Sequence, residues 1–317
     1  MKTTYVAASN GQFVTEVDVN LERMLQEIDQ LQKVNGSDKV LNYSINEVED
    51  VILVNLPVSG LKGAIADFPG GRMIIKSPIG SFEIPFAAVQ SVLTEGFAEK
   101  LQVRIGSLLA EQEDKINRHF KLEGAVKLGH TVKIELLWRS GEIEKQVKGL
   151  GGSKASFTFH LADPADPTTT TVLSHDIAVG KTFFVPAVVE RIESGTSDIK
   201  LILSETGVFS VISLDKIFAD MSDHWAKQEV SLLASKHLIE GMDDLHFAPD
   251  KPITRAQFTT LLVRALGWKE GQEQITFSDV KQDAWYAGAV GTASARGLTE
   301  GFKNGKFQPN DLIRGNR

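Results

Sequence analysis

Between Leu21 and Leu31 the apolar residues Leu21, Met24, Leu25, Ile28 and Leu31 recur three and four apart, while Glu22, Arg23, Gln26, Asp29 and Gln30 take the other faces. That spacing predicts an amphipathic helix over Val19–Val34, ended by Asn35-Gly36. Before it, residues 3–19 alternate loosely and suggest one or two strands. After it, Val51–Leu56 is apolar and β-branched up to Pro57, the pattern of a buried strand. A short helix is expected over Leu61–Ala66, then a hairpin of Arg72–Ile75 and Ser81–Ile84 around Ser-Pro-Ile-Gly. Pro85 opens another short helix with Phe86, Val89 and Val92 on one side, and Leu101–Leu108 alternates as a strand. The charged run Glu111–Lys121 predicts an exposed connection. Beyond it, Thr131–Trp138, Ser156–His160, Lys181–Pro186, Ile199–Ser204 and Val208–Ser213 alternate between Gly, Asp and Pro turns, which suggests an antiparallel sandwich or sheet. Residues 163–171 form a turn-rich loop in this reading, and Leu214–Ile217 is a very short linker.

From Phe218 the period changes. Phe218-Ala-Asp220, Trp225, Gly241 and Phe247-Ala-Pro249-Asp250 return as Phe277-Ser-Asp279, Trp285, Gly301 and Phe307-Gln-Pro309-Asn310. Self-similarity at a fixed period is the signature of a repeat architecture. Each repeat reads as helix–loop–helix. Ser222 or Asp223 is placed to cap a helix running to about His237, with Val230, Leu233 and Leu238 inward and Gly241 as a left-handed exit. Thr254-Arg-Ala-Gln257 is a capping box, followed by an apolar stripe of Phe258, Leu261, Leu262, Ala265 and Leu266. A unit of this kind cannot bury its stripe alone and must stack on a neighbour.

The combination F-x-D, HWA, G, F-x-P-D, ITRA-x-F and LL-x-RALG resembles the S-layer homology repeat of bacterial surface proteins, over the last hundred or so residues. Ile75-Lys76-Ser-Pro-Ile-Gly80-Ser-Phe-Glu-Ile84-Pro85, inside its strand–helix–hairpin–helix–strand context, is similar to a module found just upstream of such repeats. The fold class expected is α+β: a β-rich N-terminal and middle region, then all-α helix–loop–helix repeats. The boundaries are 1–110, 111–215, 216–270 and 275–317, the last an incomplete repeat. Its sequence runs Asp311-Leu-Ile-Arg314-Gly-Asn-Arg317 where the first has Thr254-Arg255-Ala256-Gln257; the expectation is that both ends are cut from a longer product, or that the frame is lost at the C-terminus.

Composition narrows the chemistry. The net charge of −7 over 317 residues disfavours a nucleic-acid partner. The absence of cysteine removes thiol catalysis, disulfides and Cys-based zinc sites. No apolar run approaches a membrane span, and the N-terminus lacks the apolar core of a secretory signal. No catalytic set stands out: the seven histidines are scattered, and nucleophile-elbow and phosphate-loop motifs are absent. Asp243, Asp244 and Asp250 lack calcium-loop spacing and read as a solvated loop. No metal or cofactor is expected.

Arg255 differs, because it lies in the first turn of a helix, where free amides and the dipole favour an anion that a guanidinium grips bidentately. It either does so or pairs with a neighbouring repeat. The resemblance implies non-covalent anchoring to a secondary cell-wall polysaccharide, pyruvylated in that family, and a cell-surface location. It points to Arg255, Thr254, Asp220, Asp279, Trp225 and Trp285 as the binding set. Asp220 and Asp279 could instead cap the following helix, and Trp225 and Trp285 could pack beneath it. Gln257 stands where that family carries Glu, which keeps the capping role and loses the charge. Alternative expectations are the tail of a surface-anchored glycoside hydrolase and a lattice subunit contacting other surface-layer copies.

Overall fold

The structure, a computed structural model, describes all residues except 9, 37, 47–49, 94–97, 148, 194, 272–273 and 314–317; the side chains of 92 and 122 are also outside it. It divides into two compact units. The first comprises Met1–Pro167, Ser174–Lys181 and Ala187–Ile212; the second comprises Thr168–Leu173, Thr182–Pro186 and Ser213–Arg317.

In the first unit the amphipathic helix forms over Leu21–Lys33. The Asn20 side chain caps it by accepting from the Arg23 amide, and Met24 and Ile28 face the core. Leu21 and Leu25, expected inward, are exposed. Strands Phe13–Asp18, Val51–Pro57, Lys100–Ser107 and Val126–Ser140 lie side by side, with Lys2–Ala7 outside the first. A second sheet runs Ala187–Arg191, Ser197–Leu203, Ala155–Leu161, Gly80–Pro85, Arg72–Ser77 and Val40–Ser44. Both sheets therefore take strands from either side of residue 110.

The sheets are mixed rather than antiparallel. Phe13–Asp18 runs parallel to Val51–Pro57, and Val40–Ser44 runs parallel to Arg72–Ser77. Parallel neighbours need crossovers, and helices Leu21–Lys33 and Val58–Asp67 lie in them. The hairpin forms as read, with Ser77 opposite Gly80. Gly80 has φ 157°, and a Cβ there would strike the Phe157 ring and the Thr158 carbonyl.

The charged run is a helix, Ala110–Glu123, not an exposed connection. Ile116 and Phe120, four apart, are buried beneath its charges, and Gly124 closes it at φ 73°. Strands Val40–Ser44, Ile143–Gln146, Thr170–Asp176 and Ala187–Arg191 escape a pattern reading. They are short or rich in Thr and polar residues, so alternation is faint.

The expected all-α C-terminal region is not found. Described helices after residue 213 are Lys227–Ser235, Arg255–Ala265 and Ala287–Ala295, with a 3₁₀ turn at Ala219–Met221. The rest is loop, plus an isolated antiparallel bridge between Thr254 and Leu312. Pro249, Pro252 and Pro309 carry no amide for a helical ladder, and aspartate carboxylates bind the loop amides instead. Two small cores result. Phe218, Met221, Val230 and Ala234 form one, and Ala256, Val280, Ala287, Val290 and Phe307 the other. A third cluster, Val263 with Ala289 and Ala293, joins the last two helices.

Candidate functional site

The repeats share one loop design. Asp220 accepts the amides of Phe247 and Ala248 at 2.9 and 2.7 Å. Asp279 accepts those of Phe307 and Gln308, both at 2.8 Å. In each case the second of those residues, Ala248 or Gln308, holds a left-handed φ of 60° or 58°. These amide bonds hold the Asp220 carboxyl below the usual carboxylate range. Burial opposes ionisation of Asp279, but its two amide donors outweigh that and lower it as well. Neither aspartate caps a helix, and neither Ser222 nor Asp223 does: helix Lys227–Ser235 starts at Ala226 with no side-chain cap.

The aromatic pairs behind these carboxylates also match, Phe218–Phe247 at 5.5 Å and Phe277–Phe307 at 5.4 Å. Gly241 is not the left-handed exit. His237 takes that conformation at φ 57°, and Gly297 takes it in the second repeat at 69°. Gly241 and Gly301 are glycine because a Cβ would collide with the Phe218 or Phe277 ring and a loop carbonyl.

The capping box is present: Thr254 Oγ1 accepts from the Gln257 amide, and Gln257 Oε1 accepts from the Thr254 amide at 2.8 Å. The stripe beyond it is rotated. Ala256, Thr259, Thr260 and Val263 are buried, whereas Phe258, Ala265 and Leu266 face out. Small side chains win that face because the Ala- and Gly-rich helix Ala287–Ala295 packs directly on it.

Arg255 belongs to the first repeat and is seated on the second. Its Nη2 donates to the Glu300 carbonyl at 2.6 Å and to Thr299 Oγ1 at 3.2 Å. Its guanidinium lies 5.1 Å from the Phe302 ring centre and 4.8 Å from that of Phe307. The helix amides beside it are not free for an anion: Arg255 donates to the Asp311 carbonyl and Ala256 to that of Pro309. Arg255 Nε is buried without a hydrogen-bond partner. Thr299, Glu300 and Phe302 were not singled out from sequence; their proximity to the repeated Gly301 was the available signal.

Trp225 is 88% exposed and Trp285 61%, so neither packs under its helix. Asp243 Oδ1 accepts the amides of Leu245 and His246, an exposed loop turn. Among the described residues no cluster of ligating side chains could hold a metal, and no helix is long and apolar enough to cross a membrane.

The S-layer homology domain model matches residues 217–259 and 276–315, the two segments that carry this design. Residues 217–259 and 276–315 are thus S-layer homology repeats. These repeats are a cell-surface anchoring domain. An amylopullulanase of Thermoanaerobacterium thermosulfurigenes is 30% identical over 180 residues, 55% of this chain and 9% of that protein. Exoglucanase XynX of Acetivibrio thermocellus is 42% identical over 104 residues, 32% of this chain and 9% of its own length. An S-layer-related protein of Niallia circulans is 27% identical over 316 residues, 91% of this chain and 18% of that protein. The chain thus spans under a fifth of each of these relatives. No solved structure matches.

Proposed function

We propose that the two repeats hold the protein to the bacterial wall by binding a secondary cell-wall polysaccharide that carries carboxylate groups. The exposure of Trp225 and Trp285 at equivalent positions carries this reading. An aromatic face left in water on both repeats is a stacking platform for sugar rings. The half-buried Arg255 guanidinium, at the contact of the two repeats, supplies the cation for a carboxylate such as a pyruvate ketal. Thr254, Asp220 and Asp279 act one step back, by fixing the helix start and the two loops that carry these groups. Residues 1–215 serve as the stalk, with repeats at 216–270 and 275–317. The repeats hold a cargo domain to the wall. The enzyme names of two relatives support a glycoside hydrolase as that cargo, and the S-layer-related relative supports a lattice subunit.

The test is co-sedimentation with isolated wall sacculi, untreated or stripped of secondary polymer. Binding to untreated sacculi, lost on stripping and reduced in Trp225→Ala and Trp285→Ala, is the expected result. Equal pelleting by the wild type and both tryptophan variants would remove the basis of the proposal.

A further inference from the structure

Three side chains that lie far apart in the sequence meet on the six-stranded sheet of the first unit. Ser81 Oγ is 2.8 Å from His160 Nε2, and His160 Nδ1 is 2.8 Å from Asp198 Oδ1. The strands bring them together by register. Ser81 lies opposite Thr158, two residues from His160 along the same strand, and His160 lies directly opposite Asp198 on the next strand. With the carboxylate on Nδ1, the imidazole holds its proton there, and Nε2 is left to accept from the serine hydroxyl. Nucleophile, base and orienting acid thus stand in the order and at the spacing of an activated serine, and such a set is recognised by geometry and roles rather than by fold.

We infer that Ser81, His160 and Asp198 form an acyl-transfer centre, with Ser81 as nucleophile toward carboxylic esters. The site is open: the Ser81 residue is half-buried, and the side chains of His160 and Asp198 are 42% and 34% exposed. The face around it is mixed, since exposed Val188 lies opposite Lys200 and exposed Ile202 is two residues from Lys200 on its strand. Thr158 and Lys200 lie opposite one another, and Glu83 is two residues from Ser81 on its own strand. Lys200 reaches across the intervening strand, with its Nζ 3.8 Å from Glu83 Oε2. Its ammonium is therefore paired with Glu83 beside the serine's strand. Lys200, Glu83 and Thr158 near the serine supply hydrogen-bonding groups for an acyl group on a hydroxyl-rich carrier, such as an O-acylated sugar.

The chemistry balances with water as the co-reactant. Ser81 Oγ bonds to the carbonyl carbon as its proton passes to His160 Nε2. The carbon–alkoxide bond breaks, and that proton leaves with the alcohol. Water then gives a proton to Nε2 and its oxygen to the acyl carbon. Carboxylic acid is released, and Ser81 regains its hydrogen.

The experiment uses the full chain with p-nitrophenyl acetate and, separately, a fluorophosphonate probe, with peptide mass spectrometry locating the label. Labelling at Ser81, and ester hydrolysis above buffer that falls by about 100-fold in Ser81→Ala and His160→Gln, is expected. Asp198→Asn should lose activity while keeping strand pairing. Circular dichroism of each variant separates loss of activity from loss of fold. A folded wild-type chain with no label at Ser81 and no hydrolysis above the Ser81→Ala background overturns the inference, and leaves the three residues as a cross-strand hydrogen-bond chain.

Discussion

Arg255 stacks on Phe307 with 4.8 Å between guanidinium and ring centre, although the two residues come from different repeats. The same guanidinium closes on the Glu300 carbonyl and faces Phe302. The planar group thus links the helix of one repeat to the loop of the next through its edge and its face. This bears on any binding experiment, because removing Arg255 loosens the site as well as removing a cation.

Arg255→Ala is therefore expected to destabilise the repeat contact by about 2–4 kcal/mol, from two charged hydrogen bonds and partly desolvated cation–π contacts with Phe302 and Phe307. Arg255→Lys should recover less than half, since an ammonium cannot stack and donate in the same geometry. Hydrogen exchange of the amides in Arg255–Ala265 measures the loss locally. Exchange unchanged in both variants would contradict the contact's role.

Gly297 and Gly301 should respond to alanine for different reasons. At Gly297 there is open space but φ is 69°, so Gly297→Ala costs about 1 kcal/mol of backbone strain. At Gly301 a Cβ meets the Phe277 ring, so Gly301→Ala costs about 1–3 kcal/mol through overpacking. Urea midpoints of the repeat transition, combined with Phe277→Leu, separate the two. Only the Gly301→Ala defect should be relieved by the smaller partner.

Asp220, Asp243 and Asp279 all have carboxyls held below their ordinary value of 3.8. A depressed folded-state pKa means that the stability is fully present above 3.8 and is lost as pH falls through the lower folded values. The repeats should therefore keep their loops at pH 5 and lose them only below about pH 4. Amide exchange at Phe247, Ala248, Phe307 and Gln308 across an acid titration reports it. Loss of protection already at pH 6 would sink the assignment.

His175 sets a different acid limit for the first unit. Burial lowers its pKa from 6.5 to about 4, with the charge of His119 adding to the effect, while its Nε2 meets Ser210 Oγ at 3.0 Å. A histidine buried neutral contributes stability that is intact above 6.5 and lost as pH falls from 6.5 toward 4. The loss amounts to up to about 3 kcal/mol. The first unit should thus weaken on acidification before the repeats do. His175→Gln should flatten its urea midpoint across that window, and a slope identical to wild type would show that another group is responsible.

What the sequence determined by itself is what local chemistry can fix. Thr254-Arg-Ala-Gln257 contains both partners of its capping box within four residues, and the box forms. The repeated Phe-x-Asp, Gly and Phe-x-Pro positions announced two equivalent units, and their loops share the same pair of aspartate-to-amide hydrogen bonds. Ser77-Pro-Ile-Gly80 specified its hairpin, because only glycine suits the last of those positions. What only tertiary structure decided depends on partners far away in the chain. Helix Arg255–Ala265 buries Thr259, Thr260 and Val263 instead of Phe258 and Leu266, since a helix of small residues lies against it and leaves no room for larger ones. The run Glu111–Lys121 became a helix because two apolar residues four apart found a core under nine charged or polar neighbours. Ser81, His160 and Asp198 meet only because three strands align in one register, and no spacing along the chain carries that information.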